Sequence, residues 1–183
     1  MREDRWEVAF RGLLIGSIGY LIVFLGVGVG DLLQGRSFFY TFSLLGGWLF
    51  YGLEDPALVR VWPGAVFAYN GVHLLFFLAF GLFASWMASV AERGPLLWYA
   101  ALVMYLLVFL HLFGAFLLMT EPLRNALSIW HVSIPTVLAL AAMSWALLRQ
   151  HPQLRHELDE WVDGDDDDEA PYPEPRPGAA ALP

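Results

Sequence analysis

Long apolar stretches alternate with short polar breaks along this chain, at about 11–32, 64–90, 95–119 and 124–148, and none has an arginine or acid near its centre. A helix needs about 20 consecutive apolar residues to cross the hydrocarbon core of a bilayer, so each stretch predicts a transmembrane helix. The last three are separated by Glu92-Arg93-Gly94-Pro95 and Thr120-Glu121-Pro122, whose prolines are suited to starting new helices. This spacing predicts an antiparallel up-and-down series.

A further apolar stretch, 37–53, is shorter, rich in aromatic residues and interrupted by Gly46-Gly47. The arginines decide how to read it. With four spans and a cytoplasmic N-terminus, Arg2, Arg5, Arg11, Arg93, Arg149, Arg155 and Arg176 lie inside, against Arg36, Arg60 and Arg124 outside. Five spans divide the arginines evenly, and the positive-inside rule therefore favours four. Phe38, Phe39, Tyr40, Phe42, Trp48, Phe50 and Tyr51 suit the headgroup belt. Residues 37–53 are expected as an external interfacial or re-entrant helix, with a fifth span as the alternative.

The expected fold is all-α: a polytopic integral membrane protein with a four-helix transmembrane bundle over 1–150. Both ends would lie in the cytoplasm, in the cytoplasmic membrane of a prokaryote. Residues 151–162 place Leu154, Leu158, Trp161 and Val162 at amphipathic-helix spacing. Residues 163–183, acidic and then proline-rich, lack the apolar content for a core and are expected as a disordered tail.

Composition narrows the chemistry. The chain is 58% hydrophobic and 15% charged, and its net charge of -8 is concentrated in the acids of 159–169, so nucleic acid is not an expected partner. The absence of cysteine excludes disulfides, thiolate metal sites, iron–sulfur clusters and covalent haem attachment. All ten basic side chains are arginine, and a chain without lysine forms no Schiff base with retinal or a carbonyl substrate. No catalytic family motif occurs in a recognisable context, and Gly26-x-Gly28-x-Gly30 falls inside a span, where it is no nucleotide fingerprint.

Two features point to a site. Gly12, Gly16, Gly19, Gly26 and Gly30 share one face of the first helix, a stripe suited to close packing against another span, another subunit or a flat cofactor. Intramolecular packing is the simplest use. The second feature is three histidines within apolar spans, where a polar group is costly and each one is a functional-site hypothesis. From the span boundaries, His73, His111 and His131 lie ~14, ~12 and ~10 Å from the outer surface at ~1.5 Å per residue.

That shared depth suits haem b held by two axial imidazoles on facing helices, with His73 and His111 the best-matched pair. Tyr69 and Asn70 would bond His73 or a propionate, Gly114 would make room for the macrocycle, and Arg124 would pair with propionates. Phe76, Phe77, Phe80 and Phe113 would line the site. A second reading puts all three histidines on one copper or zinc ion. In a third, each histidine only bonds a carbonyl or hydroxyl on a neighbouring helix. The outer charged groups Asp31, Glu54, Asp55, Glu121, Arg36, Arg60 and Arg124 are expected mainly as a solvated rim, with Glu121 a candidate proton acceptor for a quinol. The functions in view are thus a cytochrome b-like electron-transfer protein serving a quinone, and an accessory or assembly subunit of a respiratory or photosynthetic complex docking through the glycine face. A three-histidine metal protein is the remaining alternative.

Overall fold

The computed structural model describes residues 5–91 and 97–150, with side chains at 6–90, 103, 106–111, 113, 114 and 116–150. The expected amphipathic segment 151–162 and tail 163–183 lie outside the described residues. The elements run α1 (Arg5–Leu33), α2 (Tyr40–Tyr51), a single 3-10 turn (Pro56–Leu58), α3 (Pro63–Ala91), α4 (Leu97–Leu118), α5 (Glu121–Ala126) and α6 (Ile129–Gln150). No strand occurs among the described residues. Three helices, Trp6–Leu33, Pro63–Val90 and Ile129–Gln150, are long and apolar enough to cross a membrane.

α1 is the central helix, packed against α3 and α6, while α4 lies chiefly against α3. The glycine stripe explains this arrangement. A Cβ at Gly12 would stand 2.7 Å from the Leu82 Cα, and one at Gly16 would strike the Phe77 carbonyl oxygen. Gly81 of α3 faces Gly12 and Gly16 in return, so two backbones meet where neither helix carries a side chain. Further along α1 the stripe turns to α6. A Cβ at Gly26 would meet the Pro135 ring at 2.7 Å, and one at Gly30 would meet the His131 ring at 2.6 Å. The five glycines are therefore used within the chain. Beside them Ile15, Val23, Val27, Phe77, Phe80, Ala139 and Met143 form the main core.

Apolar side chains lie on the outside of the bundle as well as in its core. Asp31, Thr41, Ser43, Asn70, Ser85 and Ser89 are buried, whereas Leu21, Leu25, Phe67, Leu75, Leu117, Val137 and Leu138 face outward. Each of these six buried polar side chains has a hydrogen-bond partner. The Ser85 hydroxyl donates to the Val8 carbonyl across α1 and α3 at 2.9 Å, and the Tyr20 hydroxyl donates to Asn70 Oδ1 at 3.1 Å.

α2 differs from a membrane span in length. Its 12 residues extend about 18 Å at ~1.5 Å per residue, short of a hydrocarbon core of about 30 Å. It covers the distal end of the bundle, where α1 finishes and α3 and α6 begin. Thr41 to Gly47 are all buried, so its backbone is covered by protein. The Gly46 Cα side lies directly on the Ala65 carbonyl of α3. The Ser43 hydroxyl donates to the Arg60 carbonyl at 2.7 Å and accepts from the Trp62 amide at 3.1 Å. Gly52, with φ 66°, then ends the helix in the left-handed region.

One expected boundary is corrected. The apolar stretch 124–148 is not continuous, because α5 stops at Ala126, Leu127 is extended, and α6 starts at Ile129. Leu123 and Leu127 instead fill a distal cluster with Leu44, Leu45 and Met119. Burying those two leucines against α2 pulls the segment off the helix axis.

Candidate functional site

The revised start of α6 changes the depths of the histidines. His131 is only two residues into α6, ~3 Å below its first residue at ~1.5 Å per residue. His73 is ten residues into α3, ~15 Å deep, and His111 is seven residues before the end of α4, ~10 Å deep on the same scale. The three separate into two places.

His73 and His111 meet at the contact between α3 and α4, with ring centroids 5.7 Å apart and planes inclined by 40°. Both belong to a run of aromatic rings. Tyr69 stacks on His73 at 5.1 Å, and Phe77 meets His73 edge-on at 5.1 Å. Phe76 lies face to face with His111 at 3.9 Å and stacks in turn near Phe80. Helical spacing produces this, since Tyr69, His73, Phe76, Phe77 and Phe80 follow one another at three- and four-residue steps on α3. Among the described residues, neither imidazole makes a hydrogen bond.

The other sequence-selected residues divide. Asn70 is turned to α1, accepting from Tyr20 and donating to the Val66 carbonyl at 2.8 Å, so it does not serve His73. Tyr69 supports His73 through its ring face. Gly114, one turn from His111, has no atom within 4 Å of where its Cβ would be. Phe113 stacks on Phe109 at 4.4 Å, away from the imidazole pair. Arg124 lies in the last turn of α5, and Glu121 is exposed in its first turn.

His131 belongs to a polar cluster built by α1, α2 and α6. Its Nε2 is 3.3 Å from Asp31 Oδ1 and 3.4 Å from Thr41 Oγ1. Asp31 accepts the Thr41 amide at 2.9 Å on Oδ2 and the Thr41 hydroxyl at 2.9 Å on Oδ1. Gln34 Nε2 donates to His131 Nδ1 at 2.9 Å and to the Gly30 carbonyl at 3.2 Å. These partners assign the imidazole proton to Nε2, leaving Nδ1 as the acceptor.

Asp31 is the residue that sequence reasoning missed. Expected in a solvated rim, it is 0% exposed. Local chemistry explains the placement: Phe39, at the N-cap of α2, offers no side-chain acceptor, and Asp31 fills that role from α1. The positive end of the α2 dipole favours a carboxylate there. The signal lay in the row Val23, Val27, Asp31, which continues one buried face at four-residue steps.

Among the described residues, no three histidine or acidic side chains converge as a metal site, and the three histidines do not share a centre. No family model, curated protein or solved structure matches the chain.

Proposed function

We propose that the chain is a four-span integral membrane protein of the cytochrome b type, with His73 and His111 as the residues that would hold haem b. α4, with 22 helical residues, is the fourth span at about 33 Å by the ~1.5 Å rise. The arginine distribution puts the distal end outside and Arg11 and Arg149 at the cytoplasmic face of a prokaryotic membrane.

The carrying observation is the pairing of two imidazoles, from different helices, that form no hydrogen bond among the described residues. A purely structural histidine bonds a neighbouring carbonyl or hydroxyl, as His131 does. The two rings lie 5.7 Å apart, centroid to centroid, on facing helices. To hold a macrocycle, Phe76 and Tyr69 would turn from stacking on the imidazoles to lining them, and Gly114, one turn after His111, has open space where a Cβ would be. Bound haem iron supplies reversible one-electron transfer. The chain's own part is to hold the two imidazoles in register and keep water from them with aromatic rings.

The accessory-subunit reading draws on a different observation. α4 packs chiefly on α3, leaving Leu106, Leu110, Phe113 and Leu117 outward for lipid or a neighbouring subunit. Optical spectra of detergent-purified protein, expressed with ample haem, separate the two. Electron transfer requires a sharp reduced α-band that disappears in both His73→Ala and His111→Ala. A colourless, folded preparation rejects haem and leaves the accessory role.

A further inference from the structure

The Asp31–His131 cluster is built as more than a helix cap. A serine or asparagine at position 39 would cap α2 locally, whereas here a carboxylate is fully buried to do so from another helix. Burying an ionisable group is costly even when it is hydrogen-bonded. What the carboxylate adds is orientation. Asp31 lies 3.3 Å from His131 Nε2 and holds the Thr41 hydroxyl that contacts the same nitrogen, so the ring is fixed with Nδ1 turned to Gln34 as an acceptor.

The groups around His131 differ in permanence. Asp31 and Thr41 are buried, and Gly30 admits the imidazole against the α1 backbone. The donor at Nδ1 is Gln34, an exposed side chain in the turn that follows α1. It is the replaceable partner. Next to Gln34 and His131 in the sequence, the apolar side chains of Leu33 and Trp130 are 84% and 71% exposed.

We propose that His131 Nδ1 is a recognition site for the hydroxyl headgroup of an amphiphile at the outer membrane interface, of the quinol or phenol class. The ligand hydroxyl donates to Nδ1 in place of the Gln34 amide, with Asp31 and Thr41 holding the ring. The site is separate from the His73–His111 pair and does not depend on haem.

The test uses haem-free, full-length protein in detergent with 15N-labelled histidine, titrated with decylubiquinol and, separately, with decylubiquinone, which has no hydroxyl to donate. The quinol should shift the His131 Nδ1 resonance saturably, and the quinone should not. Gln34→Ala removes the competing donor from an exposed position and should tighten quinol binding about five- to tenfold, the worth of one hydrogen bond. His131→Gln should abolish binding with the helical spectrum intact. The proposal is overturned by the absence of a saturable shift, by equal binding of quinone and quinol, or by unchanged affinity in Gln34→Ala. Because haem is absent, failure here leaves the electron-transfer reading untouched.

Discussion

Gly30 and His131 are in direct contact across α1 and α6: a methyl group on the glycine would lie 2.6 Å from the imidazole Cε1. The contact lets the ring reach Asp31, one residue further along α1. Packing and polar chemistry at the distal end are therefore one arrangement. Gly30→Ala should displace the ring and lower thermal stability by about 1–3 kcal/mol, the usual cost of overpacking. Gly114→Ala, at an open position, should be close to neutral. Thermal unfolding in a single detergent compares the two.

Asp31 should discriminate between its own replacements. Asp31→Ala leaves the Thr41 amide and hydroxyl without their acceptor, and should cost about 2–6 kcal/mol, the sum for two buried unsatisfied donors. Asp31→Asn retains one carbonyl oxygen for the amide and should cost less, about 1–3 kcal/mol. Chemical denaturation followed by tryptophan fluorescence measures both, and equal losses would mean that the cap bond contributes nothing.

Ser43 should behave as a small, well-defined clasp. Its hydroxyl is the shared partner of the Arg60 carbonyl and the Trp62 amide. Ser43→Ala should cost about 1–3 kcal/mol, and hydrogen exchange should speed up at the Trp62 amide before it does in α1. Uniformly faster exchange would argue against a local clasp.

Topology is open to a clean experiment because the natural chain has no cysteine. Single cysteines at Gly35, Gly52 and Asn125 should label from outside intact cells with an impermeant maleimide. A cysteine at Gly94 should label only after the cells are opened. External labelling at Gly94 would reverse the orientation drawn from the arginines.

The long helices were legible because their signal is an average over many residues: α1, α3 and α4 lie close to the apolar stretches that predict them. The start of α6 was not, because Leu123, Ala126, Leu127 and Ile129 read as the first turns of one apolar span despite Arg124, Asn125 and Ser128 among them. Only the fit of Leu123 and Leu127 beneath α2 breaks it into two helices. The same error made His131 seem as deep as His73 and His111. The His73–His111 pair was read from shared depth on adjacent helices, and the two rings lie 5.7 Å apart there. Asp31 was missed because a charge at a helix end is ordinarily solvated, and its burial depends on Thr41 and His131 arriving from elsewhere in the chain.

The dependence of α1 on α6 bears on how the protein is made. On the proposed membrane reading, translation delivers α1 to the bilayer well before α6 exists, so Asp31 must spend that interval without His131 and with Gly26 and Gly30 uncovered. The nascent helix is then poorly suited to lipid at its distal end, and an insertase or quality-control protease would meet an ionisable group there until synthesis reaches α6. Chains stalled before Ile129 should accordingly be short-lived in cells, even though all the residues of the His73–His111 pair have already been made.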